Sequence, residues 1–163
     1  KKNPLDQFKN NPFHKCDVYY TNNNNLYEKS LHKGVCELMD IKDAIRKYAI
    51  KNDDIIIKLT GRYRVLNSTF FDIIRQNYGK YDAFVKFFNV CTGEYMFNDM
   101  TMGLFALKAK YFKMFEYKEK NQSPEVELST FIRCNCHNIY EIKDNESLGL
   151  ECYFAGSLEK LIV

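Results

Sequence analysis

Between Asp53-Asp54 and Thr60-Gly61-Arg62-Tyr63 the chain runs Ile55-Ile56-Ile57-Lys58-Leu59, a short β-branched block with polar residues on either side. A continuous apolar run of this kind predicts a strand buried on both faces, as in a parallel sheet. Upstream, apolar residues fall at Leu31, Val35, Leu38, Ile41, Ile45 and Tyr48, which is helical spacing with one inward face over residues 31–49. Downstream, Asn67-Ser68-Thr69 is placed to cap a helix over residues 70–76 that Gly79 closes. Residues 82–90 form a second apolar strand, and Lys86 within it requires a buried partner. Residues 91–100 carry no clear pattern and predict a loop with Asp99 near its end. Residues 103–107 are a third buried strand, running into a helix over 108–117. Ser123-Pro124 reads as a helix start: serine as cap, proline in the first turn, then Glu125 and Glu127 near the positive end of the helix dipole, with the helix reaching residue 133. Strands follow over 138–142 and 148–154, and the apolar residues of 158–163 seal the edge. Ahead of these elements lie a polar lead-in over 1–15, a short strand over 16–21 and a loop at the four asparagines 22–25. Strands alternate with helices throughout, so the pattern predicts an α/β fold.

Composition narrows the class of protein. A chain of 163 residues is one domain, 1–163, and long enough for a sizeable core. Nothing before Cys16 reads as a buried strand, so an N-terminal strand is expected to be missing. The net charge of +3 is spread along the chain and most aromatics sit at core-like positions, which argues against nucleic acid as a partner. No apolar run approaches the roughly eighteen residues of a membrane span. Six cysteines are too sparse for a disulfide framework, and buried free thiols in a reducing compartment, by default the cytoplasm, are expected. Cys134-Asn135-Cys136-His137, even with His14 and Cys16, lacks the paired knuckle of a structural zinc site, so no metal centre is assigned there.

The candidate chemistry clusters at the end of the first buried strand. Ligands of open α/β sheets bind beyond the carboxyl ends of the strands. Lys58, Thr60, Gly61, Arg62 and Tyr63 bring two cations, a hydroxyl and a glycine amide to that position, a set suited to a phosphate or a carboxylate. The competing reading makes Lys58 and Arg62 sheet-edge charges in salt bridges. Lys33, near a helix start, either faces the same cleft or pairs with Glu37 one turn on.

The segment Lys58-Leu59-Thr60-Gly61-Arg62-Tyr63 also carries a resemblance, in order with Lys33-Gly34 and Glu37, Phe84-Val85-Lys86-Phe87-Phe88-Asn89, Gly103-Leu104-Phe105-Ala106 and Ser123-Pro124-Glu125-Val126-Glu127. From residue 18 to the end the chain resembles a group of glycosyltransferase-like proteins found in bacterial polysaccharide loci and large DNA viruses. The resemblance implies a single Rossmann-like domain of the GT-A type, with a mainly parallel central sheet flanked by helices. It also implies sugar transfer from a UDP- or GDP-sugar to a glycan or glycoprotein acceptor, in the host cytoplasm if the protein is viral. The Asp-x-Asp metal motif of many such enzymes is absent, and Lys58-Leu59-Thr60-Gly61-Arg62 takes its place. A departing nucleoside diphosphate gathers negative charge, which Lys58 and Arg62, helped by Lys33, are expected to stabilise. No cofactor is then required, although Asp99 leaves room for Mn²⁺ or Mg²⁺. The base for the acceptor hydroxyl is expected among Glu125, Glu127 and Asp99. Glu125 and Glu127 are two residues apart on a helix, so only one can face a cleft. The alternative is a catalytically inactive sugar- or protein-binding module, virion-associated, that kept the fold and lost the chemistry.

Overall fold

The computed structural model describes residues 17, 19–21, 23, 33–61, 63–118, 122–143, 145–153 and 160–163. In chain order the elements are α1 (Lys33–Lys47), β1 (Ile55–Leu59), β2 (Arg64–Val65), α2 (Thr69–Gln76), β3 (Ala83–Val85), β4 (Phe88–Asn89), β5 (Glu94–Tyr95), β6 (Leu104–Lys108), α3 (Ala109–Met114), α4 (Pro124–Asn135), β7 (Ile139–Glu141), β8 (Leu150–Tyr153) and β9 (Lys160–Ile162). The main sheet has the order β1-β6-β3-β7; β2-β8-β9 form a second sheet and β4-β5 a hairpin.

This arrangement corrects the expected Rossmann-like, mainly parallel sheet. β1 runs antiparallel to β6, with Ile55 opposite Lys108 and Leu59 opposite Leu104. β3 is also antiparallel to β6, and only the β3–β7 pair is parallel. β2-β8-β9 is wholly antiparallel. The physical reason is that an apolar run reports burial and says nothing of strand direction, which long-range connections set. The run at Ile55 is not even the buried one. Ile57 and Leu59 are exposed, and β1 is an edge among the described strands of its sheet. The interior strand is β6, where Leu104, Phe105, Ala106 and Leu107 are all fully buried.

Side chains of a strand alternate between faces, and here they feed two cores. Phe105 and Leu107 of β6, with Ala83 and Val85 of β3, pack against Leu38 and Ile45 of α1, Phe112 of α3 and Leu128 and Ile132 of α4. Leu104 and Ala106, with Phe84, pack on the other side against Phe70 and Ile74 of α2 and Leu148, Leu150 and Cys152. The α4 start is formed as expected, with Ser123 Oγ accepting from the Val126 amide at 3.3 Å and Pro124 in the first turn. At α2 the serine makes no side-chain cap bond, and Asn67 Oδ1 instead accepts from the Thr69 amide at 3.0 Å. The buried ammonium of Lys86 donates to the carbonyls of Lys143 (3.0 Å) and Glu146.

Three local expectations change, the first being the strand over 82–90, which is divided between β3 of the main sheet and β4 of the hairpin. The pattern-free stretch 91–100 contains β5, paired with β4 through Phe88–Tyr95 and Asn89–Glu94. Of the expected strand over 16–21, the described residues 17 and 19–21 are not in a strand, and Cys16 lies outside the described residues. Among the described residues, no helix is long and apolar enough to cross a membrane.

Candidate functional site

The carboxyl ends of β1 and β3 and the start of β6 meet at one end of the main sheet. The Thr60 amide donates to the Gly103 carbonyl at 2.9 Å, and the Thr101 amide to that of Lys86 at 3.0 Å. A cavity of about 360 Å³ opens there. Lys33, Gly34 and Glu37 of α1 line one wall, and Lys58, Thr60 and Tyr63 a second. Asn89, Val90, Cys91 and the approach to β6 (Asp99, Met100, Met102, Gly103) form the floor, while Ser123, Glu125 and Tyr153 complete the rim. Two glycines permit this closeness. A Cβ on Gly34 would lie 2.9 Å from Pro124 Cγ, so a side chain there would push α1 away from the start of α4. A Cβ on Gly103 would collide with the Tyr63 ring.

Lys58 sits at the centre of a closed network. Its side chain is 6% exposed, and its ammonium pairs with Glu37 Oε2 at 2.7 Å. The same nitrogen donates to the Met102 carbonyl at 2.5 Å and to Thr60 Oγ1. Thr60 Oγ1 in turn donates to Glu37 Oε2 at 3.2 Å. Glu37 is therefore matched with Lys58 rather than with Lys33, its neighbour one turn back. Lys33 is exposed at the cavity wall. Substituting Lys58 with methionine is expected to lower stability by about 1–3 kcal/mol, because buried acceptors lose their donor while the chain keeps its apolar stem. Denaturant unfolding checks this; an unchanged midpoint would mean that the network adds nothing to the fold.

The carboxylates are held quite differently. Asp99 is buried, its Oδ2 accepting from Asn89 Nδ2 at 2.7 Å and its Oδ1 from the Met100 amide at 2.7 Å. Burial pushes its carboxyl above the usual range, and the charge of Glu125 acts in the same direction, against the two hydrogen bonds. Glu125 projects into the cavity from the first turn of α4. Glu127 is turned elsewhere, accepting from the Lys118 amide at 2.6 Å.

Of the residues singled out in the sequence, Lys33, Lys58, Thr60, Tyr63, Asp99 and Glu125 share this cavity. Gly61 is exposed and, like Glu127, is not among the lining residues. Arg62 lies outside the described residues. Sequence reasoning had Glu37 as a helix-surface partner and Asn89 as the end of a strand, both within the motifs of the resemblance, and gave neither a role in the site. Among the described residues no three His, Cys, Asp or Glu side chains are disposed to share a metal ion. Cys136 is a buried thiol whose pKa burial pushes up to about 12, and Cys134 is exposed; His14 and Cys16 lie outside the described residues.

The cavity thus combines an exposed ammonium, a capped helix N-terminus, a neutralised Lys–Glu pair and two carboxylates, one of them desolvated. Comparison with protein-family models, with curated proteins and with solved structures found no match to the chain.

Proposed function

We propose that the protein is a glycosyltransferase, moving a sugar from a UDP- or GDP-activated donor to a hydroxyl of a glycan or glycoprotein acceptor. The observation that carries this reading is convergence. Residues separated by more than ninety positions, from Lys33 to Glu125, surround one cavity with cationic and carboxylate groups together. In the proposed reaction Asp99 or Glu125 takes the proton of the acceptor hydroxyl, whose oxygen attacks the anomeric carbon. The bond from that carbon to the diphosphate oxygen breaks, and the electron pair leaves with the diphosphate. Lys33, exposed at the cavity wall, faces that developing charge. Arg62 joins it on the strength of the motif it belongs to. Lys58, already neutralised by Glu37, acts on the donor through Glu37 and Thr60, which it holds at the cavity wall.

A second reading, a sugar- or protein-binding module without turnover, draws on the same neutralisation: the Lys58–Glu37 pair leaves fewer cations to meet a diphosphate. Calorimetry with UDP, GDP, CDP and dTDP and their sugars, with Mn²⁺ or with EDTA, separates the two when followed by an assay for released nucleoside diphosphate. Transfer predicts binding of one nucleotide class, weakened by Lys33→Ala and by Arg62→Ala with the fold intact. Binding of free glycan without any nucleotide would favour the module. If Arg62→Ala unfolds the chain, Arg62 is a structural ion-pair partner and its diphosphate role fails.

A further inference from the structure

Asp99 reaches the cavity from the end of a turn, closed by its own amide donating to the Met96 carbonyl at 3.2 Å. Beyond it the chain is tied into the sheet by Thr101. Before it stands Phe97, whose ring is 66% exposed and so has no anchor in the core. What meets Phe97 is Arg133, near the end of α4. Arg133 Nε donates to the Phe97 carbonyl at 2.8 Å. Its guanidinium lies between two rings, 3.4 Å from the centre of buried Phe87 and 4.0 Å from that of Phe97. Cation–π contact of this kind attracts on both faces of the guanidinium. One terminal nitrogen of Arg133 is buried and has no hydrogen-bond partner among the described residues, so the Nε–carbonyl bond and the two ring contacts are what fix the side chain.

We propose that Arg133 is a positioning residue that clamps the Met96–Asp99 turn and so holds the Asp99 carboxylate in the cavity beside Glu125. The helix makes this effective. Glu125 and Arg133 stand eight residues apart on α4, about 12 Å along a rigid rod. One element therefore presents the first carboxylate directly and fixes the second through Phe97. Around Asp99 stand Asn89 from β4 and Glu125 from α4, with Lys33, Glu37 and Lys58 across the cavity. The clamp is a matter of geometry alone. Its consequence for turnover rests on the transferase reading.

The test is Arg133→Met, with Arg133→Lys as the conservative variant, in protein carrying ¹³C-labelled aspartate carboxyls. Two quantities are read: the titration of Asp99, and hydrogen-exchange protection of the Met100 amide that donates to it. The clamp predicts that Arg133→Met moves the Asp99 midpoint toward the ordinary carboxylate range and lowers Met100 protection by at least about tenfold. Asp82, held by Lys108, Tyr111 and the amides that follow α4, stays where it was. Arg133→Lys, which donates but cannot stack flat between two rings, falls between the two. Unchanged Asp99 and Met100 in a folded Arg133→Met protein overturn the proposal. So does a parallel shift of Asp82, which would mean that Arg133 supports the whole fold. If Arg133→Met does not fold, Phe97→Ala removes one face of the clamp at an exposed position and is read by the same two signals. Neither signal needs a donor sugar. A moved Asp99 in a protein without transferase activity would leave the clamp standing and sink the reaction.

Discussion

Replacing Asp82 with alanine is expected to remove about 3–5 kcal/mol of stability, as removal of one partner from a buried ion pair does. Asp82 is 5% exposed and precedes β3. Its carboxylate accepts from Lys108 Nζ at 2.8 Å, the Tyr111 hydroxyl at 3.1 Å, and the amides of His137 and Asn138 at 3.1 and 3.3 Å. One side chain thus joins β6, α3 and the link from α4 to β7. Without it the largely buried Lys108 ammonium and the amides of His137 and Asn138 lose their acceptor. Burial alone pushes the Asp82 carboxyl up, but the bonds from Lys108, Asn138, Tyr111 and His137 outweigh it and bring the pKa down to about 2. A folded-state pKa below the unfolded value of 3.8 means stability present above the unfolded pKa and lost as pH falls toward the folded one. The contribution is roughly 2 kcal/mol, fading between about pH 4 and pH 2. Urea titrations from pH 7 to pH 2 check both parts. A loss under about 1 kcal/mol, or an acid limb as steep in Asp82→Ala as in the parent, would show that the network is not a fold-holding one.

Removing the working base should cost the proposed transfer reaction about 10²–10⁴-fold in kcat, with donor affinity changed only a few-fold. The candidates are now two, Asp99 and Glu125, and their settings distinguish them. Asp99 is desolvated and its carboxyl lies above the usual range, whereas Glu125 stands on an open helix start. A base must be ionised to accept a proton, so a rate governed by Asp99 falls as pH drops through that raised pKa. The limb then lies above the ordinary carboxylate range and disappears in Asp99→Asn. If Glu125→Gln abolishes turnover while Asp99→Asn leaves the limb in place, Glu125 is the base and Asp99 tunes it. Stability separates Asp99 from Asp82. An acid whose folded pKa is raised loses stability as pH climbs from its unfolded value to its folded one, so Asp99→Asn is expected to be within about 1 kcal/mol of the parent at neutral pH. Loss of more than that would mark Asp99 as part of the scaffold and remove it as a candidate base.

What could be read along the chain was local. The inward positions Val35, Leu38 and Ile45 of α1 (though not Tyr48, which is exposed beyond its end), the cap and first turn of α4 and the demand of Lys86 for partners each depend on residues within a turn or two, or on the cost of burying one charge. The positions of the candidate site residues followed from the same logic: Thr60 and Tyr63 lie where strands end or begin, Asp99 near the end of a loop, and Lys33 and Glu125 in the first turns of helices. What the chain pattern did not contain was direction and partnership. Ile55–Leu59 looks like a doubly buried strand because an apolar run measures greasiness; only its pairing with β6 reveals an antiparallel edge with Ile57 and Leu59 in solvent. Lys58 has the composition of an anion-binding residue, and its capture by Glu37 depends on how α1 packs against β1. The choice between Glu125 and Glu127 turned on the rotation of one helix, with the amide of Lys118 holding the second. Asp82 was an ordinary residue at a strand's beginning until three elements converged on it. Helical and strand periodicities come from neighbouring residues and survive in sequence, whereas strand order, charge pairing and the hub at Asp82 arise from contacts between distant residues, and these the tertiary structure alone decided.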